Sequence, residues 1–205
     1  MNLGFDLKDW EETEAIEMGD FETLELGGHE VVIMDARLYT SEQSGNTSLK
    51  ICVDIAGNDK QKGFFKKQYD NNTLSEKKWP TGGTRFLSLK KENLGYTKGT
   101  ITAIEKSNKG FKFDTSKGWE QLNGLKCAGV FGLEEYVDQE GKTRTTTKLV
   151  QFRSLDKLGE IKIPDVKLLD GTRVDIDDYN EFYRNKKEDN TLNNAVEISP
   201  ESLPF

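Results

Sequence analysis

His29-Glu30-Val31-Val32-Ile33-Met34-Asp35-Ala36-Arg37-Leu38-Tyr39-Thr40, then Ser41-Glu42-Gln43-Ser44-Gly45-Asn46, then Leu49-Lys50-Ile51-Cys52-Val53-Asp54-Ile55: this stretch decides the fold. Side chains of an extended chain point alternately to opposite faces, so hydrophobicity with a period of two marks a half-buried strand. In the first run Val32, Met34, Ala36 and Leu38 fall on one side, with Asp35, Arg37 and Tyr39 on the other. In the second, Leu49, Ile51, Val53 and Ile55 alternate with Lys50, Cys52 and Asp54. The connector is rich in turn residues, so the two runs are expected to pair as an antiparallel hairpin.

Further along, Gly63 to Tyr69 reads as a third strand, with Phe65, Lys67 and Tyr69 opposite Phe64, Lys66 and Gln68. Residues 70–83 are polar and end in Trp79-Pro80-Thr81-Gly82-Gly83, which reads as a loop. The spacing of Phe86, Leu87, Leu89 and Leu94 predicts a short helix closed by Gly95, and Thr100 to Ser107 adds another turn or two. A second β region is expected from Phe111-Lys112-Phe113 through Leu125 to Val137. Asp138-Gln139-Glu140-Gly141 then turns the chain into a return strand over 142–153, where Thr145 to Thr147 favour extended structure. Ile176, Tyr179, Phe182 and Tyr183 have the spacing of a small docked helix, and residues 185–202 have the composition of a flexible tail.

This order suits a mainly β fold: a five-stranded OB-fold barrel with a short helical insert and flexible acidic termini. A β-sandwich with a helical insert is the runner-up. The expected segments are an acidic stretch over 1–27, the OB-fold over 28–164, and a C-terminal extension and tail over 165–205. A chain of 205 residues has room for one such core with tails. No apolar run reaches the ~18 residues a membrane span needs, and the N-terminus lacks the layout of a signal peptide, so a cytoplasmic protein is expected.

Several chemistries lack their residues. His29 is the only histidine, and Cys52 and Cys127 stand far apart in apolar runs, as buried reduced thiols would. Cys/His zinc sites and most histidine-based nucleophilic mechanisms are thereby excluded. Asp175, Asp177 and Asp178 read as solvated acids at a helix start, and Gly82-Gly83-Thr84 as a turn without a Walker lysine. No catalytic constellation remains, and the reading calls for no cofactor and no metal.

Charge is distributed unevenly. The net −7 divides into −9 over residues 1–30, +7 over 31–153 and −5 over 154–205. A basic middle between acidic ends is a footprint compatible with nucleic acid, although ordinary solvated surface gives such an excess too. Binding an unpaired strand needs cations for phosphates and exposed rings for bases. Phe65, Lys66, Lys67 and Tyr69 form one cluster; Lys77, Lys78 and Trp79 a second; Lys142, Arg144 and Lys148, facing Tyr136 across the hairpin, a third. Aromatics in strands more commonly build core, so Trp79, between two lysines and a proline in a loop, is the strongest stacking candidate.

The C-terminus closes Glu197-Ile198-Ser199-Pro200-Glu201-Ser202-Leu203-Pro204-Phe205. A partner pocket beside a cation would capture the Phe205 ring and its carboxylate together, with Glu201, Leu203 and Pro204 alongside. This end resembles the acidic Pro-Phe tip of bacterial single-stranded-DNA-binding proteins, which docks helicases, primases and repair enzymes. It carries two acids, Glu197 and Glu201, where the bacterial tip has more. The body, from about Gly28 to Pro164, resembles the single-stranded-DNA-binding proteins of phages and integrative elements of Gram-positive bacteria. The likeness is carried by Ile101-Thr102-Ala103-Ile104-Glu105-Lys106-Ser107-Asn108-Lys109-Gly110-Phe111-Lys112-Phe113-Asp114, by Gly124 to Phe131, and by Gly141-Lys142-Thr143-Arg144 with Phe152-Arg153-Ser154.

The resemblance implies an OB-fold and a role in DNA replication and recombination, with single-stranded DNA and replication or recombination proteins as partners. The expectation is therefore a non-enzymatic, sequence-independent binder, with self-association left open. The alternative is a protein-binding accessory module of a replication or recombination complex that does not touch DNA.

Overall fold

A computed structural model describes residues 22–182 together with Lys8 and Glu11. The fold is mainly β: a seven-stranded open mixed sheet with a few short helices. β1 (Gly27–Thr40) is its long central strand, antiparallel to β2 (Thr47–Ile55) on one side and to β4 (Lys126–Val137) on the other. β3 (Thr84–Ser88) pairs with β2, and β5 (Thr143–Arg153) with the far edge of β4. Where β1 ends, the same edge of β4 takes β6 (Val166–Lys167) in parallel, and β7 (Arg173–Val174) follows β6. The sheet thus runs past residue 164, with Val166 fully buried.

The expected first hairpin forms, but half of β1 has the opposite phase. Val31, Ile33 and Ala36 are buried, whereas Met34 is 39% exposed and Leu38 55%. A β-bulge sets this phase: Ile33 pairs with Val53 and Asp35 with Cys52, leaving Met34 as the extra residue. An extra residue shifts every side chain beyond it to the other face, so strict alternation cannot be carried through it. In β2, Leu49, Ile51, Val53 and Ile55 are all buried as the alternation predicts.

Gly63 to Tyr69 is not a third strand; Phe64–Asp70 is a helix, α1. The cause lies in β2, where the buried Asp54 carboxylate accepts hydrogen bonds from the backbone N–H groups of Ile55, Phe65 and Lys66. It thereby satisfies amides at the helix start that no residue next to α1 caps. Gly63 enters α1 with φ +78, a conformation that a side chain disfavours. Lys66 and Asp70, one turn apart, close the exposed face at 2.8 Å.

Thr84–Ser88 is a strand rather than the expected helix: Leu87 turns inward at 8% exposure and Phe86 outward at 48%. The helix starts where it was expected to stop. α2 (Leu94–Ser107) contains Gly95 and presses Ile101 and Ile104, one turn apart, into the core. Phe111 to Phe113 is irregular; Phe113 stacks on Trp119 at 5.1 Å, and its N–H reaches the Glu105 carboxylate. The hairpin at Asp138–Gly141 forms as expected, with Gly141 N–H bonding the Asp138 carbonyl. Residues 176–182 are helical, docked through Tyr179 at 7% exposure; Tyr183, the 185–202 tail and the chain end lie outside the described residues.

Phe65 stands at the centre of the packing, 2% exposed and 5.8 Å from Phe131 in a stacked arrangement. Burying a ring of that size stabilises the fold by about 2–3 kcal/mol. The chain passes close beneath it at Gly83, where a Cβ would come within 2.7 Å of the Phe65 ring, so only glycine fits. Among the described residues no helix is long and apolar enough to cross a membrane.

Candidate nucleic-acid interface

After α1 the chain folds back so that Trp79 covers the outer face of β2. Its indole Nε1–H donates to the Val53 carbonyl at 3.0 Å, and its ring lies 5.4 Å from that of Tyr69, tilted by 32°. Beneath and beside this pair is a groove of about 340 Å3 lined by Arg37, Lys50, Tyr69, Lys77, Lys78 and Trp79, with Met34, Asp35 and Cys52 at its base. Strand register explains the grouping: Asp35 faces Cys52, and Arg37 faces Lys50, which in turn faces Phe86 on β3. The bulge at Met34 is what turns Asp35, Arg37 and Tyr39 to this face of the sheet.

The groove is cationic and largely unneutralised. Arg37 Nε is 3.2 Å from Asp35, the acid in the lining. Lys77 lies 5.8 Å above the Tyr69 ring and donates to the Asp70 carbonyl. Lys50 and Lys78 form no ion pair among the described residues. Cys52, 2% exposed, has its thiol pushed up by burial, so it is inert packing under the groove. Tyr69 and Trp79 are half-buried, Trp79 against the core, whereas next to the groove Tyr39 and Phe86 form an exposed pair of rings 5.2 Å apart.

Compared with known proteins, the chain matches no protein-family model and no curated sequence.

Of the residues singled out from sequence, Tyr69, Lys77, Lys78 and Trp79 line this groove together. Phe65 does not: it lies in the core, with no face open to a base. Lys66 is held by Asp70, whose hydrogen bond raises the ammonium above its ordinary value, and Lys67 stands 3.9 Å from Glu22. The hairpin cluster lies outside the groove lining and is neutralised. Lys142 pairs with Glu140 at 2.7 Å, Arg144 with Asp138 at 2.9 Å, and Lys148 with Glu134 at 3.3 Å. The Arg144 hydrogen bond holds the Asp138 carboxyl below its usual value. Burial raises the Glu134 carboxyl, but its bonds to Lys167 and Lys148 outweigh this and hold it low. Tyr136 faces Arg144 in register and is 42% exposed. Arg37 and Lys50 were not singled out, although both already fell on the polar side of the alternation. Glu201, Leu203, Pro204 and Phe205 lie outside the described residues.

Proposed function

We propose that this chain is a non-enzymatic binder of single-stranded DNA built on an OB-type barrel, acting in phage-type replication or recombination in the cytoplasm. The observation that carries the reading is the Tyr69–Trp79 pair set above the Arg37–Lys50 row. Ring faces accept any base, and cations spaced along a trough neutralise a backbone without reading sequence, which is the requirement of a sequence-tolerant binder. The strand order supports the OB-type part: β3, β2, β1 and β4 in sequence across the sheet, β5 on the far edge of β4, and α2 between β3 and β4. In that fold strands 2 and 3 and the neighbouring loops present the oligonucleotide face. The C-terminal segment with Glu201, Leu203, Pro204 and Phe205 recruits replication or recombination proteins.

The second reading, a protein-binding accessory module, draws on the hairpin, whose cations are all held by carboxylates. A gel-shift titration with single- and double-stranded oligonucleotides at two salt concentrations separates the two. Single-strand binding that weakens steeply with salt and exceeds duplex binding supports the first. Absence of binding to oligo-dT at low salt removes it. Deleting Ser199 to Phe205 leaves DNA affinity equal or higher, since acidic residues compete with phosphates, and abolishes partner pull-down.

A further inference from the structure

A second groove, of about 480 Å3, opens between β3, α2 and β5, and it shares no lining residue with the Tyr69–Trp79 groove. Its cations are Arg85 from β3, Lys106 from α2, Arg153 from the end of β5, and Lys157; its acid is Asp156. Lys157 is engaged by Glu160 at 3.0 Å, whereas Arg85, Lys106 and Arg153 form no ion pair among the described residues.

Arg85 is the most telling of these. Its Nε is buried without a hydrogen-bond partner, and burial pushes its guanidinium below the usual value. A guanidinium nitrogen buried without an acceptor is costly, and among the described residues no carboxylate neutralises the half-buried Arg85 in the groove wall. The helix beside it leaves room: Gly95, Gly99 and Ala103 recur every four residues and so share one face, and a Cβ added at Gly95 or Gly99 would meet nothing within 4 Å. The first turn of α2, with Gly95 and Tyr96 in the groove wall, carries no acid. Tyr96, at the rim, is 79% exposed.

We propose that this groove binds one phosphorylated nucleoside, with the phosphate on Arg85, Lys106 and Arg153 and the base against Tyr96. Its volume falls in the ~300–1,000 Å3 range of small-ligand sites. Two sources share this chemistry, a free nucleotide and a nucleotide within a strand. The site holds or fails independently of the single-strand groove, because no residue is common to both.

The test is amide NMR of the full 15N-labelled chain, titrated with inorganic phosphate, dTMP and the dinucleotide pTpT. The Gly99 and Arg153 amides are expected to shift with all three and the Gly95 amide with the two nucleotides, dTMP binding more tightly than phosphate. The exposed-site double variant Lys106→Glu/Arg153→Glu should weaken dTMP by about tenfold or more. Tyr96→Ala should reduce dTMP to the affinity of phosphate. Gly99→Leu, which fills open space, should block both should the charge variant fail to fold. Tighter binding of pTpT assigns the site to a strand, and tighter binding of dTMP to a free nucleotide. Silent groove amides, or shifts unchanged in the charge and Gly99 variants, overturn the proposal. An unresponsive Trp79 indole with oligo-dT would instead remove the single-strand reading and leave this one standing.

Discussion

Replacing Lys50, Lys77 and Lys78 together by glutamine should change how DNA affinity depends on salt, not only its size. For single strands each phosphate contact contributes about −0.7 to the slope of log affinity against log salt. With Arg37, Lys50, Lys77 and Lys78 all in contact, the wild-type slope is expected near about −2.8, falling to about −0.7 in the variant. With equal affinities extrapolated to 1 M salt, the three lost contacts amount to about a 100-fold loss at ~0.1 M. The fold should survive, since Lys77 and Lys78 are exposed, Lys50 is half-buried, and none of the three forms an ion pair among the described residues. Losing the exposed bond from Lys77 to the Asp70 carbonyl costs little. Fluorescence anisotropy of a labelled oligo-dT over a salt series reads both quantities, with thermal melts as the folding control. A variant that folds and retains the wild-type slope would refute the assignment of these lysines to phosphates.

Asp54→Ala should destabilise the protein by about 2–4 kcal/mol, because buried N–H groups at the start of α1 lose their acceptor. Asp54→Asn, which keeps one acceptor, should cost less; urea unfolding compares them. Neither cysteine should react with iodoacetamide in the folded protein at mildly alkaline pH, because burial raises Cys52 and pushes Cys127 up to about 12; both should react in urea. Glu105 accepts the Phe113 N–H, and this bond, with Lys112, holds its carboxyl below its usual value. Its contribution to stability is full above the unfolded value and is lost as pH falls through the lower folded one. Glu105→Gln should therefore be less stable than wild type at neutral pH, with the gap closing in acid; melts across pH measure it.

What the sequence made legible followed from local periodicity, and what it hid followed from distant contacts. Leu49 to Ile55 and the Asp138–Gly141 hairpin read correctly because their pattern and turn chemistry agree. The N-terminal half of β1 read out of phase because a bulge leaves no mark on composition. Residues 63–70 have too few positions to separate period two from period 3.6, and the deciding group, Asp54, is eleven residues before Phe65. Thr84–Ser88 looked helical because Phe86, Leu87, Leu89 and Leu94 are spaced as on a helix, although Phe86 and Leu94 are exposed and only Leu87 among the strand's two apolar residues is buried. For the site, Trp79 with its lysines was visible as a loop aromatic among charges. Arg37 and Lys50 became part of it only through strand register, and the hairpin cations lost weight once their carboxylate partners were placed.

Ultraviolet cross-linking of oligo-dT to the full chain, followed by peptide mapping, tests most directly where an unpaired strand lies. The account predicts adducts on the peptides containing Tyr69 and Trp79, lost when excess unlabelled single strand competes. Adducts confined to the 136–148 hairpin, or none under conditions where binding is saturated, would contradict it.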